Sequence, residues 1–302
     1  MMLNKSQPLS ALSVFRPDIS RLRNRWLRVI SSAWVSLLLS CGVPGPESSG
    51  EDISGIRRQT YSGDTPVVKK ISALVAGEPK GQQVIFVHGT PGSAEGWADF
   101  MLTVPSGFQY LAIDRPGHGG SGPEHAVTSL AEQSKAIGLL LDTRTCRKTI
   151  LVGHSLGGPI VAWLAAVQPD CVAGLVIVAG SLDPSQEQIH PLQRLGAAWF
   201  IRNLLPRSIR NANSELMALK AELVKLQALL KAISVPVIIV HGLEDDLVPY
   251  ENVFFMQSNL TGAKLVIEKR LEGANHFLPW NAKDQITAAI MELVENERAM
   301  KL

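Results

Sequence analysis

Gly153-His154-Ser155-Leu156-Gly157 follows directly on the apolar run Ile150-Leu151-Val152. A serine held on a tight strand-to-helix turn crowds the positions two residues to either side, and glycine is the residue that fits there. Ser155 is therefore a candidate nucleophile for an acyl carbon. Pro159 falls in the first helical turn, where its missing N–H costs nothing. An attacked carbonyl becomes an oxyanion, so two backbone N–H groups must wait where that charge develops. Leu156, at the start of the helix, can offer one, aided by the positive end of the helix dipole. Thr90 is placed to offer the other, in His88-Gly89-Thr90-Pro91-Gly92 after Val84-Ile85-Phe86-Val87. Pro91 has no N–H to give. The plain alternative for this loop is a strand-to-loop turn without a chemical role.

These residues need a frame, and the chain alternates short β-branched runs with longer helical patterns from about residue 56, as a parallel sheet with crossover helices does. Residues 84–87, 110–113, 150–152, 175–178 and 237–240 are continuous apolar runs, which suits strands covered on both faces. Residues 56–61 and 67–76 read as antiparallel edge strands. A last strand is expected over 264–267. Ser129 and Glu132 form a capping box that opens a helix to Leu141, and 284–296 reads as a closing helix. Residues 181–232 interrupt the strand rhythm, with a loop rich in Pro and Gln and then a helix. Leu216, Leu219, Leu223, Leu226 and Leu230 line one face of that helix, a stripe expected to pack into the core. The segment reads as a small helical lid after the sixth strand.

His88-Gly-Thr-Pro-Gly, then Asp114-Arg115-Pro116-Gly117-His118-Gly119-Gly120-Ser121, then Gly153-His-Ser-Leu-Gly-Gly occur in the order seen in the α/β-hydrolase superfamily. From about residue 56 to its end the chain resembles a member. The resemblance implies an α/β fold with a mostly parallel sheet of about eight strands covered by helices. It also implies that the 114–121 segment is structural, which keeps Asp114 and His118 out of the active site. In this fold the triad runs Ser, Asp, His along the chain. Of the seven histidines, His276 is the one well placed, in Gly273-Ala-Asn-His276-Phe277, similar to the family's G-x-x-H-F. His241-Gly-Leu-Glu-Asp245-Asp246-Leu-Val-Pro249 resembles the family's H-G-x-x-D-x-x-V-P, whose register puts the acid at Asp245, with Asp246 and then Asp183 as alternatives.

These roles imply a serine hydrolase that cleaves an ester or related acyl bond in a small molecule through an acyl-enzyme, with neither metal nor cofactor. Trp97, Trp199 and Phe200 are candidate pocket aromatics, with core packing as the competing reading. A serine argues against the alkyl-carbon chemistry of relatives with an Asp nucleophile. Carbon–carbon bond hydrolases, cofactor-free haloperoxidases and lyases share the same triad. A ligand-binding sensor on the same fold is the alternative outside enzymology. The loop is neither the H-G-G-G of many lipases nor the H-G-G-P-G of proline iminopeptidases.

The leader differs from the rest. Arg21, Arg23, Arg25 and Arg28 precede an uncharged apolar run, Val29 to Leu39, too short for a span of about 20 residues. Leu38-Leu39-Ser40-Cys41-Gly42 resembles a bacterial lipobox, which implies a signal peptide over 1–40, lipidation at Cys41 and an exported, periplasmic or outer-membrane-associated protein that meets membrane through that anchor. A long, Arg- and Ser-rich, acid-poor leader is also how an organelle transit peptide is written. Residues 41–55 then form a linker before the 56–302 domain. Removing 1–40 takes away six basic side chains and one acid, moving the net charge from +2 to −3 and leaving no electrostatic footprint for nucleic acid. Cys146 and Cys171 precede neighbouring strands, and either a disulfide or two buried thiols fits their spacing.

Overall fold

The computed structural model describes residues 55–63, 65–141, 148–189 and 191–299, with the side chains of Trp199 and of 297–299 outside that description. The expectations for Cys41 and for a Cys146–Cys171 bridge lie on residues outside it; Cys171 itself is buried. Eight strands form one sheet: β1 (Arg57–Ser62), β2 (Lys70–Gly77), β3 (Gln82–Val87), β4 (Phe108–Ile113), β5 (Thr149–His154), β6 (Val172–Val178), β7 (Val237–Gly242) and β8 (Val266–Leu271), in the order β1-β2-β4-β3-β5-β6-β7-β8. β2 runs antiparallel to β1 and β4, and every other pairing is parallel. The second strand is thus one place in from the edge, and six of its eight residues are buried or half-buried apolar or small side chains.

The helices are α1 (Ala98–Met101), α2 (Leu130–Gly138), α3 (Gly157–Val167), α4 (Pro191–Ala197), α5 (Trp199–Arg202), α6 (Arg207–Leu230), α7 (Glu251–Asn259), α8 (Leu278–Asn281) and α9 (Lys283–Ala299). Ser129 caps α2 as its sequence signals, its hydroxyl accepting from the Glu132 N–H at 3.4 Å.

Apolar residues along each strand alternate between two cores. Ile85, Val87, Val237 and Ile239 face one, shared with Leu130, Ile160 and Leu164 of α2 and α3. Val84, Phe86, Ile238 and Val240 face the other, shared with Trp97, Phe100, Ile286 and Ile290. This period of two on both faces is what turns an uninterrupted apolar run into a central strand. Leu219, Leu223, Leu226 and Leu230 of α6 are buried in the first core, so that stripe packs against the sheet layer. α4 and α5 fill the rest of the insertion between β6 and β7.

The last strand departs from expectation. It begins two residues later than 264 and runs on through Glu268, Lys269 and Arg270 to Leu271. It is an edge strand, half-exposed along its length, so charged side chains are tolerated where an apolar run was sought.

β3 leads outward to β4 on one side, and β5 lies on its other side. The chain leaving β3 turns to one side of the sheet and the chain leaving β5 to the other, so the switch in strand order, where this class of sheet holds its ligands, falls at the carboxyl ends of these two strands.

Candidate active site

Two residues separate β5 from α3, and one of them, Ser155, has φ +53°. That conformation costs a non-glycine residue about 1–2 kcal/mol. It is held by backbone hydrogen bonds: the Ser155 N–H donates to the Val178 carbonyl (3.0 Å), and the Ser155 carbonyl accepts from Gly158 (2.9 Å). The flanking glycines are sterically required. A Cβ on Gly153 would sit 2.4 Å from the Gly157 carbonyl oxygen, and one on Gly157 2.3 Å from that of Val87. Ser155 is partly exposed while its neighbours on both sides are buried. Leu156 follows at the N-cap of α3 and is buried.

His276 lies in the loop from β8 to α8, buried to 7% exposure, and its Nδ1 is 2.8 Å from Asp245 Oδ2. An ionised carboxylate accepts, so Nδ1–H donates and Nε2 is left with its lone pair. Asp245 is fixed in turn, because its Oδ1 accepts from the N–H groups of Leu247 (2.9 Å) and Val248 (2.8 Å). The two loops are stitched together: Glu244 N–H donates to the Ala274 carbonyl (2.9 Å), and a Cβ on Gly242 would meet that same oxygen at 2.2 Å. Of the other two acids considered from sequence, Asp246 is exposed, and Asp183 caps its own turn through Ser185 N–H at 2.8 Å.

His154 connects this pair to the serine. Its ring centroid is 4.8 Å from that of His276, its Nε2–H donates to the His276 carbonyl (3.0 Å), and it is the chain neighbour of Ser155. Burial, with His276 adding to it, pushes the His154 pKa down to about 3, so this ring is neutral near pH 7. His241, beside Asp245, is also lowered by burial, and its Nε2–H donates to the Val248 carbonyl at 2.9 Å.

The loop after β3 abuts the serine, since a Cβ on Gly89 would lie 2.8 Å from Ser155 Cβ. His88 Nε2 accepts from Arg115 N–H (3.0 Å), which leaves its Nδ1–H to donate to the Gly89 carbonyl (2.7 Å). The Thr90 hydroxyl donates to Glu215 Oε2 at 2.5 Å.

Glu215 is a residue that the sequence reading did not single out. It comes from α6 and is almost fully buried, with Arg115 bonded to both of its oxygens (2.9 and 3.0 Å). His118 Nε2 (3.1 Å) and Gln133 Nε2 (2.9 Å) complete its shell. Burial acts to raise its pKa, but Arg115 and His118 outweigh it and hold the carboxyl well below the usual range. Arg115 also donates to the Gly89 carbonyl (3.0 Å), so one ion pair grips the loop at Gly89 and Thr90. Arg115 lies inside the motif noted above, but its partner is 100 positions away on a helix whose apolar stripe gives no hint of a buried acid. Asp114 is structural as expected, accepting from Arg58 Nη1 (2.6 Å), Ala94 N–H (2.8 Å) and Gly120 N–H (2.9 Å).

Trp97 is placed differently from its candidate role in the pocket. It is 1% exposed and packs on Phe86 and Phe100 under the sheet, because a large ring on a short helix beside two aromatic residues gains more from core burial. The exposed aromatics near the imidazole are Phe277, 6.0 Å from His276, and Trp280, 6.0 Å from His154. Phe200 is exposed on the insertion, and the Trp199 side chain lies outside the described residues.

A family model described as "Alpha/beta hydrolase family" matches residues 84–289. The chain is 32% identical over 98 residues to the dihydrolipoyllysine-residue acetyltransferase component of an acetoin cleaving system from Cupriavidus necator. That match covers 32% of this chain and spans 26% of the relative's length. It is 27% identical over 218 residues to a non-heme chloroperoxidase from Streptomyces lividans, covering 58% of this chain and 78% of that one. Among solved structures, the monoacylglycerol lipase of Paleococcus ferrophilus superposes with a TM-score of 0.59 at 22% identity, covering 80% of this chain and 98% of that one.

Proposed function

The chain belongs to the α/β hydrolase family, and we propose that within it the protein is a serine hydrolase cleaving esters or related acyl bonds of small molecules. The observation that carries this reading is the 2.8 Å Asp245–His276 pair, with the His154 ring, the chain neighbour of a serine held at positive φ on a strand-to-helix turn, tilted against the imidazole at 4.8 Å. His276 Nε2 removes the Ser155 proton as the oxygen attacks the acyl carbon. Asp245 keeps the imidazole in the tautomer that allows this and stabilises the imidazolium that forms. The N–H groups of Thr90 and Leu156 receive the oxyanion. Collapse expels the alcohol, which takes its proton from His276, and the same imidazole then activates water to release the acid. Phe277 and Trp280, exposed beside the two rings, are the aromatics that an acyl or aryl group would meet.

The chloroperoxidase relative favours a second reading, in which the same serine and imidazole serve a carboxylic acid and peroxide. A panel of p-nitrophenyl esters of increasing acyl length, run beside a halogenation assay with peroxide and bromide, separates the two. The hydrolase reading expects turnover on at least the shorter esters, abolished in Ser155→Ala. Halogenation with every ester left intact overturns it.

A further inference from the structure

The insertion between β6 and β7 has a surface that the chemistry above does not use. From Gln188 to Ser214 the chain carries Arg194, Arg202, Arg207 and Arg210 and no acid. In the same stretch α4 has no buried residue at all. Leu204, 83% exposed, and Phe200, 62% exposed, are the two most exposed large apolar side chains among the described residues, and Leu195 in the same stretch is 53% exposed. Isolated exposed leucines are ordinary, but three large apolar side chains exposed within ten positions of one insertion set this stretch apart.

Three of these four arginines divide into two groups. Arg207 is committed to the protein, donating to the Gly119, Ser121 and Pro123 carbonyls and pairing with Glu124 at 3.1 Å. Arg202 and Arg210 both line two adjoining clefts of about 230 and 370 Å³, the first with Asn213 and Ser214, the second with His125 and Glu124. Among the described residues neither guanidinium meets a carboxylate. Two cations lining open clefts in a stretch with protruding aliphatic and aromatic groups fit a partner that is anionic at its surface and apolar just beneath it. A nucleic acid would reward the arginines and leave Leu204 in water. A second copy of the chain would set arginines against arginines.

We propose that this face, Leu195, Phe200 and Leu204 with Arg202 and Arg210, docks on the surface of an anionic phospholipid bilayer. The apolar side chains enter the interfacial region and the two guanidiniums take headgroup phosphates. The docking is independent of which bond the catalytic site cleaves.

Hydrogen exchange of the full chain, with phosphatidylcholine vesicles that do or do not contain phosphatidylglycerol, reads this surface directly and requires no variant. The amides of 191–204 slow several-fold with the anionic vesicles and stay unchanged with phosphatidylcholine alone. Replacing Arg202 and Arg210 together by Gln weakens vesicle affinity roughly 25-fold at low salt, about fivefold for each charge. Phe200→Ser with Leu204→Ser removes the protection of 191–204. Chain that sediments with the vesicles while 191–204 exchanges as in solution overturns the proposal, as does equal protection on both lipids or unchanged affinity in the arginine variant.

Discussion

Glu215 and Asp245, two of the carboxylates buried near the carboxyl edge of the sheet, are satisfied in different ways. Glu215 is saturated, with its oxygens shared among Arg115, His118, Gln133 and Thr90. Asp245 takes two backbone N–H groups on one oxygen and on the other a single imidazole whose second nitrogen is left available. A carboxylate locked to a permanent cation and closed off by an amide, a hydroxyl and a ring that burial holds below the ordinary histidine range can hold neighbouring loops in place but cannot alter its charge relations. A carboxylate whose partner is a titratable ring can stabilise a charge that exists only during reaction. In the proposed mechanism the first arrangement positions and the second takes part in the reaction. Their meeting place is the 88–92 loop, gripped by the Arg115–Glu215 pair and pressed against Ser155.

The largest effect that sharpens this contrast is on turnover. Asp245→Asn should lower kcat by about 10⁴-fold, the size of loss seen when such an acid is neutralised in serine proteases, with a melting temperature close to the parent's. Steady-state ester kinetics with a thermal melt on the same samples check it. A loss that falls on stability instead would erase the distinction between the two carboxylates.

Glu215→Gln should show the converse. Stripping the charge leaves Arg115 buried and unpaired, which costs about 3–5 kcal/mol, or roughly 6–20 °C in Tm for a domain of this size. Turnover below the melt falls by no more than about 100-fold, through displacement of the Thr90 loop. Replacing the pair together, Arg115→Met with Glu215→Leu, recovers most of the stability in chemical denaturation, because no charge is then stranded.

Acid adds a third handle. Burial holds His88, His118, His154 and His241 below the ordinary histidine value, so the folded chain refuses protons that the unfolded chain takes up. Their stabilising contribution is complete above about pH 6.5 and declines as pH falls, each by up to about 1.4 kcal/mol per unit, His154 continuing to about pH 3. Urea midpoints measured from pH 8 to pH 4 should therefore drop steadily on the acid side. The smallest effect belongs to Asp246→Asn, one residue from Asp245 but exposed, where ester kinetics should match the parent within about twofold.

Much of this was legible in the residues. Runs such as 84–87 and 237–240 reveal central strands because burial on both faces removes any need for polar alternation. Ser155 was legible because a strained turn leaves a steric trace, glycine at 153 and 157. The register of the 241–249 turn singled out Asp245, which the structure pairs with His276. β8 was misjudged because an edge strand can carry Glu268, Lys269 and Arg270 in its middle. Trp97 was left open between pocket and core, because aromatic content alone does not tell a pocket wall from a core, and the structure puts it in the core. Glu215 left no trace, since an acid on a helix reads as solvent-facing unless its partner, here Arg115 in a distant loop, is known to arrive.

Labelling by a fluorophosphonate probe, followed by intact mass and peptide mapping, tests the central claim most directly. The account predicts one adduct per folded chain, on Ser155, formed far more slowly in Asp245→Asn and at the parent rate in Asp246→Asn. Folded protein that takes no label, or takes it on another residue, would contradict it.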